Sequence, residues 1–530
     1  MLLIVIIFLL FAILIVLFLF FTDKNASFSD QTLHVLFIDL IRKNKNKFIV
    51  NCDNFLIQSK MTYPQLLHWG FSFIPKYLIP KATLFSPAIF SIVSLLSFLF
   101  FVFSVHPYLA IYKISLEKFL LLCGLLFVST PYSYNIINAK NMGISARGLG
   151  LFLGQLYTYS MVLFILHDSY SYFIIACFLS LLIFMSSQFA SQHIFFSTIL
   201  LTIFYQSFIL LIPIVVSVIS FFLITPRLAY QFFYGNINYK KFYYKYLAKS
   251  HILMYRESIW KDIFWEIWKL LLTKKKPKGG GTLFMYIYTN PIVILLFSLP
   301  LTVPICLYFM FNLIQKCTIG GYDNFVLLLT MPIIISLFLF LLFSFRETRF
   351  LGEPERYVEF TIGFMSVTLV LLLCEHLYII YGILSFQFLL VFLQVYASRI
   401  RIKRKIKNLQ EGLIKINNII NENLRQDDEI RLLSNNTEIM RLLTDSRKKV
   451  FYGSLYSEWY GKFHYTDLYY NFNEMKADMI LPVIEEFNIS HFVLDTNILS
   501  YERFNSLIKT HARSFKQLIE KDNLIAYKIC

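Results

Sequence analysis

Three groups of residues in this sequence are of types that could do chemistry. The first is Asp30 with His34, four positions apart and so on one face of a helix. A carboxylate there could take a proton, although Asp30 alone reads equally as a helix N-cap or first-turn acid and His34 as a packed interfacial residue. The second is NAKNMGISARGLG, 138–150, where Arg147 stands at the mouth of an apolar run, with Lys140 nearby and small residues between them. A cation at that depth can hold a lipid phosphate or simply anchor a helix by snorkelling. The third is FRETRFLGEPERYVEF, 345–360, which carries Arg346, Glu347, Arg349, Glu353, Glu355, Arg356 and Glu359 between two apolar runs. Gly352 and Pro354 mark a turn there, and Arg356 and Tyr357 start the next helix. A guanidinium fork matches phosphate in a bidentate way, and the same charges also suit a solvated loop laced by ion pairs. Two lesser candidates are Glu375 with His376, inside an apolar run or at a helix end if the span register is shifted, and the polar interruption SSQFASQH, 186–193, which suits a cavity lining or a tight turn.

The elements that must position these residues are set by composition. The chain is 57% hydrophobic and only 15% charged, with 57 Phe and 34 Tyr among 530 residues, and its mean hydropathy is +0.61. A soluble domain is about a quarter charged. The apolar residues fall in runs long enough to cross about 30 Å of hydrocarbon. Candidate spans are 2–21, 85–105, 117–131, 148–166, 171–187, 193–225, 284–312, 324–345, 358–379 and 382–397. The run 117–131 is short, and 193–225 suits either one tilted helix or a hairpin of two short ones. The run 2–21 lacks a basic flank and a small-residue cleavage site, so it is expected to be a retained helix rather than a signal peptide. The net charge of +17 lies mostly in loops beside spans. Anionic headgroups account for it better than nucleic acid does. The seven cysteines are scattered, and none has the spacing of a zinc site.

Three regions are not spans. In 22–84, Leu33, Leu36, Phe37, Leu40 and Ile41 have helical spacing and predict an amphipathic helix on the membrane surface, followed by a short helix near Pro64 in TYPQLLHW. In 226–283, Trp260, Phe264, Trp265 and Trp268 share a helical face before Gly279–Gly281. The tail opens with RIRIKRKIK in a basic, polar helical linker, 399–440, whose helical pattern continues to about residue 445. A small α/β domain, 441–530, follows. KKVFYGS, HFVLDTN and NLIAYKI are its expected strands, and NEMKADMILPVIEEF and SYERFNSLIKTHARSFKQLIEK its helices. It lacks the GxGxxG turn of a dinucleotide site. The basic loops 22–84, 226–283 and 399–408 compete for the cytoplasmic side.

One apolar helix, an outer loop whose amphipathic helix opens with an acid, and a YP motif leading to the next span resemble the GT-C superfamily of membrane glycosyltransferases. The segments that carry the resemblance are DQTLHVLFIDLIRKNK, TYPQLLHW, SARGLGLFLG, SSQFASQH and FLGEPERYVEF, in that order over roughly residues 1–400. The tail is similar to the small α/β domain of some bacterial members. The resemblance implies an all-α polytopic fold of about 10–11 transmembrane helices, with 1–398 as the glycosyltransferase domain. It implies sugar transfer, with inversion, from a polyprenyl-phosphate donor to an extracytoplasmic glycan, lipid or protein acceptor at a bacterial inner membrane, without nucleic acid. Asp30 would be the general base, and Arg147, Arg356 and Lys140 would hold the lipid phosphate. His34, Tyr63, Glu353, Glu355 and Tyr357 are the expected pocket residues. Many members have two adjacent acids in this loop. Here Gln31 follows Asp30, and Asp23 and Asp39 are rivals. No cofactor is indicated, and no cluster settles dependence on a divalent metal.

The chemistry fits such parts: a carboxylate takes the acceptor's proton, and arginines stabilise the anionic leaving phosphate in a dry site. A polysaccharide polymerase or ligase would typically carry its large functional loop late in the chain. A lipid-linked glycan transporter would often show an internal repeat with paired broken helices, and none is evident.

Overall fold

The computed structural model describes residues 29–48, 54–56, 64–108, 114–134, 143–245, 291–308, 324–345, 348–422, 430–436, 448–451, 475–496, 501–521 and 523–530, with 439, 443 and 468. The expected span 2–21, the tryptophan face of 260–268 and the glycine break at 279–281 lie outside them. The chain divides into two compact units. One comprises Met1–Thr22, Pro80–Pro226 and Ile252–Ser398, and the other Asp23–Ile79, Arg227–His251 and Arg399–Cys530.

The first loop contains α1 (Ser29–Lys43) and α2 (Leu66–Ser72). Leu36, Phe37, Leu40 and Ile41 of α1 are buried. The apolar stripe expected to rest on a membrane surface is therefore covered by protein. Arg42 fixes this arrangement, donating to the Asp39 carboxylate at 2.9 Å and to the carbonyls of Ser72 and Ile74 at 3.2 and 2.6 Å. Helix α1 ends where Lys45 and Asn46 take left-handed backbone angles, φ 55° and 57°.

The apolar helices follow: α3 (Ile79–Val105), α4 (Leu116–Val128), α5 (Ala146–His167), α6 (Tyr170–Ser186), α7 (Gln188–Tyr205) and α8 (Ile212–Ile224). After α9 (Pro226–Lys245) come α10 (Pro291–Ser298), α11 (Asn324–Phe343), α12 (Glu355–Glu359), α13 (Ile362–Leu372) and α14 (Leu377–Glu422). Among the described residues, Phe85–Tyr108, Ala146–His167, Phe325–Phe343 and Leu377–Gln394 are long and apolar enough to cross a bilayer. Helix α4 has 13 residues and reaches only about 20 Å at 1.5 Å per residue. The run 193–225 forms two helices, because Gln206 takes φ 50° and ends α7. Large apolar side chains such as Phe100, Ile174, Phe178, Leu223 and Phe392 stay exposed, as lipid-facing positions do. The interior packs Phe98, Phe101, Phe119, Tyr159 and Phe364 together. Ser180 binds the Pro213 carbonyl at 2.9 Å and the Ser217 hydroxyl, tying α6 to α8.

The second unit holds a five-stranded sheet of β1 (Ile430–Ser434), β2 (Lys448–Val450), β3 (His491–Asp495), β4 (Phe515–Lys521) and β5 (Leu524–Ile529), with α15 (Ile480–Phe487) and α16 (Tyr501–Thr510). The order is β2-β1-β3-β5-β4. Strand β1 is parallel to both β2 and β3, and β5 is antiparallel to β3 and β4. Two expectations change. The polar helical pattern ends at Glu422, and Ile430–Ser434 is a strand between β2 and β3 instead of part of a helical linker. The second tail helix stops at Thr510, and SFKQLIEK instead pairs with β5 through a turn in which Asn523 takes φ 66°. Residues 54–56 of the first loop add to the outer edge of β2. The Leu56 N–H donates to the Val450 carbonyl at 3.0 Å, and the Val450 N–H to the Asn54 carbonyl at 2.9 Å.

Candidate active site

Within the apolar unit, Arg147 is placed by the start of α5. The Ser145 hydroxyl caps the helix by accepting the Arg147 N–H at 3.2 Å. The arginine then occupies the first turn, at the mouth of an apolar helix. Its Nη2 donates to Glu359 Oε2 at 3.0 Å and to the Tyr132 hydroxyl at 2.8 Å. Its Nε and Nη1 have no hydrogen-bond partner among the described residues. The Glu359 side chain is 2% exposed and that of Arg147 13%, so losing either partner would strand a buried charge.

The small residues of SARGLG serve helix packing. A side chain at Gly150 would strike Ser187, and one at Gly154 the Phe360 ring. Helix α5 can thus approach α7 and the end of α12 closely, and this brings Arg147 to Glu359, 212 positions away.

The charged segment builds the rest. A 3₁₀ turn, Arg349–Leu351, precedes Gly352, whose φ of 129° favours glycine and whose bare Cα faces the Phe189 ring. The Tyr357 hydroxyl donates to the Leu351 carbonyl at 3.1 Å and closes the turn. Burial pushes this phenol up, with Arg356 opposing, so it stays protonated. Arg356 pairs with Glu353 and lies over the Phe189 ring, 5.3 Å from its centroid. The Arg356 side chain is 27% exposed. Its Nη atoms have no hydrogen-bond partner among the described residues. Glu355 is buried at the start of α12. Burial also pushes the Tyr132 phenol up, and the charges of Arg147, Glu359, Glu355 and Arg356 act on it, so all four lie near it.

The cluster thus places two guanidinium groups among three carboxylates and two protonated phenols, and among the described residues the Nε–H and Nη1–H of Arg147 and the Nη edge of Arg356 have no acceptor. Such a site can hold a phosphate and exchange ion pairs as it does so.

In the other unit, Asp30 is the second residue of α1, and its side chain lies outside the described residues. His34, one turn on, meets His68 of α2, with Nδ1 to Nε2 at 2.8 Å and the rings stacked 5.0 Å apart. Burial, then the charge of His34, lowers the His68 pKa well below the usual imidazole range. Asp39 is engaged by Arg42. Lys140, Tyr63, Asp23, Arg346 and Glu347 lie outside the described residues. Glu375 and His376 are exposed at the break between α13 and α14 rather than mid-helix. Among the described residues no three His, Cys, Asp or Glu side chains converge as metal ligands.

Sequence reasoning overlooked Tyr132, and it gave Glu359 no individual role. Tyr132 follows an apolar run in TPYSY and carries no charge to mark it.

The whole chain can be set against known structures. The apo crystal structure of the Archaeoglobus fulgidus oligosaccharyltransferase superposes with a TM-score of 0.53 at 10% identity, covering 96% of this chain and 73% of the other. The chain shares the fold of that membrane enzyme. A second structure, the oligosaccharyltransferase AglB from Archaeoglobus fulgidus in complex with an inhibitory peptide and a dolichol-phosphate, gives a TM-score of 0.46 at 11% identity, over 99% of this chain and 74% of the other. No protein-family model and no curated sequence matches the chain. The likeness is one of fold.

Proposed function

We propose that this chain is a membrane glycosyltransferase that moves a sugar from a polyprenyl-phosphate-linked donor to an extracytoplasmic glycan, lipid or protein acceptor. The observation that carries this reading is a pair of arginines near the mouth of an apolar helix, Arg147 with two N–H donors and Arg356 with its Nη edge unmatched among the described residues, on a fold shared with an oligosaccharyltransferase. A polyprenyl chain must remain in hydrocarbon while its phosphate sits at the surface. Arg147 and Arg356 take that phosphate as charge develops on it, and it leaves without needing a proton. Asp30 is the general base that accepts the acceptor's proton, and one displacement inverts the anomeric centre. His34, Tyr63 and Tyr357 shape the pocket, and Lys140 adds charge near the phosphate. The setting is a bacterial inner membrane with the loop of α1 outside and about ten spans in all.

Arg356→Ala tests the phosphate role. It raises the KM for a polyprenyl-phosphate sugar about tenfold or more. An unchanged KM in folded variant protein would remove Arg356 from the site.

A further inference from the structure

His193 is the second observation beside the arginines that calls for a ligand. It is 1% exposed, and neither Nδ1 nor Nε2 has a hydrogen-bond partner among the described residues. A buried polar group left unpaired costs about 1–3 kcal/mol, and such groups in native proteins normally bind water or a ligand. His193 stands four residues after Phe189 on α7, so both face the charged segment. Phe189 lies beneath Arg356, 5.3 Å from centroid to guanidinium carbon. The His193 ring stacks on Phe360 at 4.0 Å and lies 6.2 Å from the Tyr357 ring.

A second unused group borders the same layer. Gln155 is 2% exposed, and its Oε1 has no partner among the described residues while its Nε2 reaches the Glu359 carbonyl at 3.5 Å. Its neighbour Gly154 packs on Phe360.

The chemistry of these groups selects the ligand. A neutral imidazole offers one donor and one acceptor, and the Gln155 oxygen adds an acceptor. An ionised phosphate only accepts, so it cannot satisfy them together. Sugar hydroxyls both donate and accept. We infer that His193, together with Gln155, whose neighbour Gly154 packs on the same Phe360 ring, binds hydroxyls of the donor's sugar and so determines which sugar is accepted, one turn along α7 from the Phe189 that underlies Arg356. This rests on the glycosyl-transfer reading.

The test compares wild type with His193→Phe in proteoliposomes. Phe keeps the stack on Phe360 and removes both nitrogens. Two quantities are read: kcat/KM for a polyprenyl-phosphate sugar that wild type consumes, and the rise in Tm caused by the same polyprenyl phosphate without sugar. The expected result is a loss of about tenfold or more in kcat/KM with an unaltered response to the bare phosphate. His193→Asn, which donates and accepts but packs less well than Phe, recovers part of the loss; a packing defect would give the reverse order. An unchanged kcat/KM in His193→Phe overturns the inference, as does an equal loss of response to the bare phosphate. If wild type consumes no donor and Arg356→Ala leaves its response to the bare phosphate unaltered, the glycosyl-transfer reading has failed, and this inference with it.

Discussion

Arg147 shows how one side chain meets two demands. Its Nη2 is committed to Glu359 and Tyr132, which keeps a cation tolerable beside an apolar helix, while its Nε–H and Nη1–H have no acceptor among the described residues. Arg147→Ala removes the ion pair to the buried Glu359 carboxylate and lowers stability by about 3–5 kcal/mol; a Tm equal to that of wild type would contradict the pairing. Glu353 has the opposite standing, since it competes with any phosphate for a half-exposed Arg356. Glu353→Gln therefore tightens binding of a bare polyprenyl phosphate by up to about fivefold, the worth of a half-exposed ion pair. Weaker binding in that variant would show that Glu353 holds Arg356 in place rather than masking it. A third residue gives a pH dependence. Burial, with Lys528 and Lys448, pushes His491 down to about 4. The unfolded chain then binds an extra proton between the ordinary value of about 6.5 and 4, so stability falls as pH drops through that window. His491→Phe removes this sensitivity, as thermal unfolding between pH 7 and 4 would read it; an unchanged pH profile would place the sensitivity elsewhere.

At the scale of elements, the contact between residues 54–56 and β2 joins the loop that carries α1 to the tail sheet through two backbone hydrogen bonds. Val450→Pro deletes one donor. Hydrogen exchange of Leu56 then accelerates while α6 and α8 keep their protection; unchanged exchange at Leu56 would mean the bridge does not persist in solution. Helices were the legible part of the sequence, because an apolar run of span length has few alternatives. The start of α5 at Ser145, the turn at Gly352 and Pro354 and the strand at His491–Asp495 are each marked by local residues. The pairing of Arg147 with Glu359 is not local and leaves no spacing to read. Ile430–Ser434 was hidden because a short strand beside a long polar helix continues an ambiguous pattern. SFKQLIEK was hidden because its polar and apolar positions fit a helix as well as a half-exposed edge strand, and only pairing with β5 decides between them. The helix of the first loop is a related case: an apolar stripe states that something covers it, not whether lipid or protein does.

For the molecule as a whole, 10% identity over 96% of the chain means that the fold persists while nearly every side chain differs. Activity must then be argued from the few groups whose arrangement has no purpose in packing alone, namely the donors of Arg147 and Arg356 that have no acceptor among the described residues. The most direct measurement is consumption of a panel of polyprenyl-phosphate sugars by wild type and Asp30→Asn in reconstituted liposomes, with Tm as the control for folding. The account predicts that wild type consumes at least one donor and that Asp30→Asn slows this about a hundredfold or more at an unaltered Tm. Consumption by Asp30→Asn at the wild-type rate would contradict it.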